Sequence, residues 1–148
     1  LKRDLPIEED EGNRAQPEGR AVSWLRDFLP PRTRMPKGEC GDMPYTEELD
    51  SVKTIYVEPD GKIAVCKEFH IGNALETDII DIIENYDPFK IPEAKAIIEN
   101  GVRGLIDWAK KKGVEPDLKG YYNICHMCTD IRKRVNARVK TARLHRDE

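Results

Sequence analysis

Four cysteines, Cys40, Cys66, Cys125 and Cys128, are the side chains of this chain best suited to metal or redox chemistry. The last two form a C-x-x-C pair, Cys125-His126-Met127-Cys128, whose thiolates can reach one metal centre from a single turn of chain. Cys40 and Cys66 stand alone and could complete a four-thiolate site. Cys66 closes the run Thr54-Ile-Tyr-Val-Glu-Pro-Asp-Gly-Lys-Ile-Ala-Val-Cys66, a strand–turn–strand pattern that would hold its sulfur at a hairpin end. A lone cysteine is commonly a small buried hydrophobe, and for Cys66 by itself that role weighs as much as ligation. The pair shifts the balance, because its spacing fits bidentate metal binding or a redox dithiol. A thioredoxin-like dithiol opens a helix after the core strand of a βαβ unit. Here the pair follows a Gly-Tyr-Tyr-Asn loop with no strand-rich pattern around it, which favours metal. Zinc and iron–sulfur clusters both accept four thiolates. Zinc sites usually use two close pairs, so two isolated cysteines plus one pair lean toward a cluster.

The elements that must position these thiols are legible in outline. Residues 1 to about 20 lack hydrophobic periodicity and read as a linker. Residues 21–29 predict a short amphipathic helix with Val22, Leu25 and Leu29 on one face, stopped by Pro30 and Pro31. Pro36, Gly38, Gly41 and Pro44 set Cys40 in an irregular loop. Strands over 54–57 and 63–66 flank Pro59-Asp60-Gly61, with Pro59 at the second position of a turn and Gly61 supplying a positive φ. Ile71-Gly72-Asn73 reads as a further turn. Three helices should follow. Thr77 is expected to cap the first, which carries Ile79, Ile82, Ile83 and Tyr86 and ends at Pro88. Pro92 opens the second, with Ala94, Ile97 and Ile98 on its apolar face; Gly101 and Gly104 break or bend the path before residues 105–109, and Gly113 is its stop. The last begins near the C-x-x-C pair and lines up Cys128, Ile131, Val135, Val139 and Ala142. The expected fold is a small α+β domain, one β-hairpin followed by several helices around the thiolates.

The 148 residues suffice for one domain with a modest core. Basic and acidic residues nearly cancel at a net charge of −3, and mean hydropathy is −0.67, as expected of a soluble, heavily charged surface. No apolar run approaches the roughly 20 residues of a membrane-spanning helix, and no secretory leader is visible. A cytoplasmic setting is therefore expected, with the cysteines as thiols or ligands and not as disulfides. Glu8 to Glu11 form an acidic run. Arg132, Lys133, Arg134, Arg138, Lys140, Arg143 and Arg146 form a basic one, but they alternate with Val135, Val139 and Ala142 and lack interleaved aromatics. That is the pattern of an amphipathic helix with a wet face, and it argues against nucleic-acid binding. The opening at Leu1 leads us to expect a preceding part of the protein.

Several segments together resemble the auxiliary-cluster domain of radical S-adenosylmethionine (SAM) enzymes. They are Tyr56-Val-Glu-Pro-Asp-Gly61-Lys-Ile-Ala-Val-Cys66 with its Gly-x-x-x-x-Cys spacing, Phe69-His-Ile-Gly-Asn73, Asn100-Gly-Val-Arg-Gly-Leu105, and Tyr122-Asn-Ile-Cys125-His-Met-Cys128 with Arg132. The similarity spans about residues 40 to 132; Gly19-Arg20-Ala21 resembles a segment near the end of the catalytic barrel. With one C-x-x-C and four cysteines, the pattern is similar to the shorter "twitch" version of the domain and not to the longer SPASM version. The resemblance implies one 4Fe-4S cluster held by Cys40, Cys66, Cys125 and Cys128. The spacing from Cys40 to Gly61 is longer than the family's usual one. The SAM-cleaving C-x-x-x-C-x-x-C triad is missing, so S-adenosylmethionine chemistry would come only from an upstream barrel and this chain would not be catalytic alone. On this reading residues 1–39 are a linker and short helix left from the barrel, 40–132 the cluster domain and 133–148 a basic helix or tail.

The expected function is electron transfer and active-site closure, with the barrel, an electron-donor protein and a peptide or small-molecule substrate as partners. The alternative is a structural zinc domain that mediates protein or nucleic-acid interaction. His70 and His126 neighbour ligand cysteines and either tune the centre or are partly exposed surface groups. Asn73 is expected to satisfy turn backbone. Arg132, one helical turn beyond Cys128, either neutralises cluster charge or is solvated.

Overall fold

The computed structural model describes residues 21–24, 29, 31–36, 49–50, 52–66 and 69–144. Helix α1 spans Ala21–Trp24, and the remainder of the expected 21–29 helix lies outside the described residues. Cys40 and its Pro- and Gly-containing loop also lie outside them.

Pro59 and Gly61 build the first hairpin as their chemistry requires. Gly61 N–H donates to the Glu58 carbonyl at 2.9 Å, Glu58 N–H donates to that of Lys62, and Gly61 adopts φ 83°. A side chain at Gly61 would also collide with Asn73 Oδ1 and the Leu75 side chain, both 2.6 Å from its Cβ position. The turn joins β1 (Tyr56–Val57) to β2 (Lys62–Cys66), which pair antiparallel with Tyr56 opposite Ala64. The Asp60 carboxylate accepts from Lys62 N–H at 3.3 Å and pairs with the Lys62 ammonium, closing the turn on its exposed side.

One expectation fails here. Residues 71–73 are not a turn but the end of a third strand, β3 (Phe69–Asn73), so the sheet is three-stranded in the order β1-β2-β3. Gly72 misleads because glycine usually punctuates strands. It is needed for packing instead: a Cβ there would lie 2.9–3.0 Å from Ile82 on the helix covering the strand. Register shifts between Ile63 and Cys66 bend the β2–β3 ladder, as bulges do. Asn73 does serve the turn, accepting from Leu75 N–H at 2.9 Å.

That helix, α2 (Ile79–Glu84), is capped by Asp78 and not by Thr77: Asp78 Oδ1 accepts from Ile80 N–H at 2.8 Å. The carboxylate has the advantage because it carries full charge at the positive end of the helix. Asp78→Ala is expected to cost about 1 kcal/mol, measurable as a lower thermal midpoint, with Thr77→Ala near wild type. A 3-10 turn, Pro88–Lys90, follows under its own cap, Asp87.

Helix α3 (Pro92–Lys111) opens on Pro92, as expected, and bends where Asn100 (φ −140°) and Gly101 (φ 60°, ψ −155°) leave helical geometry. Its last turn stops at Gly113, φ 73°. Helix α4 (Ile124–Leu144) presents Ile124, Met127, Ile131 and Val135, all buried, at spacing i, i+3, i+7, i+11. Its core stripe therefore passes through Met127, inside the C-x-x-C pair, while Cys128 sits beside it. Ile97 and Val102 of α3 meet Ile124, Cys125 and Cys128 of α4, and further along Gly113 lies against the Arg138 guanidinium. The two helices thus pack against each other. Together with Leu49, Val65 and Phe69 they form the core of a small α+β domain. Among the described residues no helix is long and apolar enough to cross a membrane.

Candidate metal centre

Cys66 ends β2 and pairs across the ladder with Phe69, the first residue of β3, which sets a thiol and an aromatic ring at one end of the sheet. Cys125 and Cys128 lie in the first turns of α4. Asn123 Oδ1 accepts from His126 N–H at 2.7 Å and the Asn123 carbonyl from Met127 N–H at 3.1 Å, which starts the helix at the pair. On α4, Cys125, Cys128, Thr129 and Arg132 follow at i, i+3, i+4 and i+7 and so share one face. That face, Cys66, Phe69 and the apolar side chains of Leu49, Ile97, Val102 and Ile124 line one cleft, partly open to solvent.

The structure thus brings Cys66, Cys125 and Cys128 to the walls of one cleft, each half-buried and none in a disulfide. Cys40 lies outside the described residues, so the expected four-thiolate set is seen in three members. Among the described residues, no three His, Cys, Asp or Glu side chains close to the spacing that grips a single ion. Among the described residues the cleft offers soft sulfur donors, apolar walls and a cation, a lining that would suit a thiolate-ligated group. Arg132 supplies that cation, with its guanidinium 4.2 Å from the centre of the Phe69 ring. A 21-residue helix that starts at the pair also turns its positive end toward these sulfurs.

Around the pair sits an aromatic support that the sequence reading missed. Tyr122 stacks on His126 at 5.3 Å and 20°, and the Arg32 guanidinium lies 4.7 Å from the Tyr122 ring centre. Tyr121 meets the same imidazole edge-on at 5.4 Å. His126 Nδ1 accepts from Tyr122 N–H at 3.3 Å. Burial, and then the Arg32 charge, hold the His126 pKa below its ordinary value, so the ring stays neutral near pH 7. Thr33 and Tyr121 exchange backbone hydrogen bonds at 2.9 and 2.8 Å, fastening the N-terminal segment three residues before α4. Tyr121 is fixed in turn, its hydroxyl accepting from Asp117 N–H at 2.7 Å and donating to Asp130 at 3.1 Å. Only adjacent aromatics at 121 and 122 hinted at this support, and nothing local named Thr33 or Arg32 as partners.

His70 and His126 take separate parts, and neither lines the cleft. His70 Nε2 is 2.8 Å from Glu58 Oε1 on the exposed side of the sheet. Tyr86 braces the cleft from behind, donating to the carbonyl of the lining residue Leu49 at 2.8 Å. Burial, with a smaller contribution from nearby Cys66, pushes the Tyr86 pKa up to about 12. The folded state therefore holds its phenolic proton where the unfolded chain has lost it. Stability should fall as pH rises from the ordinary value of 10.0 toward about 12. Denaturation curves across that window should show the fall, and Tyr86→Phe should flatten it while costing about 1 kcal/mol at neutral pH for the orphaned carbonyl.

No family model, curated protein or solved structure matches this chain.

Proposed function

We propose that this chain is an auxiliary iron–sulfur domain of the radical SAM type, holding a 4Fe-4S cluster that relays electrons and closing one side of a partner barrel's active site. The observation that carries the proposal is the meeting of three thiols, from the end of β2 and the start of α4, in one apolar cleft with a guanidinium on its wall. The resemblance of the Gly61-to-Cys66 and Tyr122-to-Arg132 segments supplies the family. A cluster bound there provides one-electron transfer. The chain's own residues do the rest. Cys66, Cys125 and Cys128 ligate, and Leu49, Phe69, Ile97 and Val102 keep water from the inner side. The α4 N-terminus and Arg132 offset negative charge.

Cys40 is the proposed fourth ligand, as the resemblance implies; it lies outside the described residues.

The test is anaerobic reconstitution with iron and sulfide. A brown chain is expected, with about four irons and broad visible absorption that bleaches on reduction. A colourless chain that takes up one zinc and no iron would overturn the proposal in favour of a structural zinc domain.

A further inference from the structure

Among the described residues Arg132 is the charged one in the cleft lining, and its place there is built and not incidental. It stands on the same α4 face as Cys125 and Cys128, seven and four residues beyond them. The ring that seats it belongs to Phe69, itself only 3 % exposed and three residues beyond Cys66. Two separate elements thus each deliver a thiol and one half of a cation–aromatic pair to the same space. A solvated arginine needs no buried ring beneath it. Stacking uses the flat face of the guanidinium and fixes its position at the cleft wall.

We infer that Arg132, seated on Phe69, sets the reduction potential of the centre held by Cys66, Cys125 and Cys128, keeping it reducible in an apolar surrounding. The inference rests on the cluster reading above. Reduction brings one electron from an external donor and adds one negative charge to a group already made anionic by its thiolates. In a cleft walled by Leu49, Ile97 and Val102 that added charge is poorly solvated. A fixed cation at the wall stabilises the reduced form more than the oxidised form and raises the potential, through net charge and hydrogen bonding to the sulfurs. Phe69 is a positioning residue: it acts by holding the guanidinium.

The experiment is a dithionite titration with redox mediators, under anaerobic conditions, on the reconstituted full chain. Arg132→Gln should retain iron and shift the midpoint to a more negative value, by at least tenfold in the reduction equilibrium, or 59 mV for one electron. Lys133→Gln makes the same charge change on the exposed side of α4 and should shift it by less than half as much. Arg132→Lys keeps the charge and should stay near wild type. Unchanged potential in iron-loaded Arg132→Gln, or an equal shift in Lys133→Gln, overturns the inference. Should Arg132→Gln fail to load, Phe69→Leu decides: a shift in the same direction supports the inference and an unchanged midpoint overturns it. A wild-type chain that takes up no iron ends the cluster reading itself, so the two failures are told apart.

Discussion

If the cleft holds the proposed cluster, Cys125→Ala and Cys128→Ala are each expected to lose the visible spectrum and most of the iron of the reconstituted chain, while the apo chain still folds. The reason is the division of labour along α4. The helix is held by Ile124, Met127, Ile131 and Val135, all buried, whereas the two cysteines are half-buried at the cleft wall beside that stripe. Removing a half-buried sulfur leaves the stripe intact and should cost the apo fold no more than about 1 kcal/mol. Losing a ligand from a shared centre removes far more, because thiolates supply the binding energy of a cluster and its charge has no other soft partner. Cys66→Ala should behave alike. Cys40→Ala tests the fourth ligand separately: loss of iron supports four-thiolate ligation, and full retention would refute it. Iron and sulfide analysis, read beside far-ultraviolet circular dichroism of the apo variants, separates ligation from folding. If Met127→Ala left iron binding and stability unchanged while the cysteine variants unfolded the chain, this division would be wrong.

Gly104→Ala should damage this domain severely, since Gly104 has the closest obstacle to an added Cβ among the described glycines. The bend at Asn100 and Gly101 folds the second half of α3 back against the end of the first. A Cβ at Gly104 would then stand 2.1 Å from the Ala96 carbonyl oxygen and 2.9 Å from Asn100 Cβ. The obstacle is backbone, which cannot swing aside as a side chain would, so the bend itself must open. Overpacking of this kind costs about 3 kcal/mol or more, which in a domain of about this size lowers the melting temperature by more than about 10 °C. Opening the bend also shifts Ile97 and Val102, two walls of the cleft, so iron retention should drop with stability. Asp107→Asn, on the exposed face of the same helix, is the control and should change stability by about 0.5 kcal/mol or less. An unchanged melting temperature for Gly104→Ala would show that α3 does not fold back as described.

Local chemistry made much of this molecule readable before any coordinates. Pro59 and Gly61 announced the hairpin because each removes all but a few backbone conformations, and the turn formed where they stand. Pro92 and Gly113 bounded α3 for similar reasons. The apolar repeat of the last helix predicted the burial of Ile131 and Val135, though the stripe runs back through Met127 and Ile124 and not through Cys128. Where the reading failed, a residue was chosen for a distant neighbour. Gly72 looked like a turn because nothing local shows that Ile82 will press on its strand. Thr77 looked like a cap because its hydroxyl can also accept from a helix N–H, but the backbone enters the helix one residue later, at Asp78.

The sequence by itself determined the supply of sulfur, the hairpin that ends at Cys66, and the helix that carries the C-x-x-C pair. All of these follow from torsional limits and periodicity acting over a few residues. Only the tertiary structure decided that the end of β2 and the start of α4 face the same cleft, that Phe69 seats Arg132 there, and that Thr33 ties the N-terminal segment down beside them. Periodicity tells each element which face to bury but not which other face it will meet. That choice is made by the packing of α3 against α4 and of both against the sheet, where many weak contacts are satisfied together.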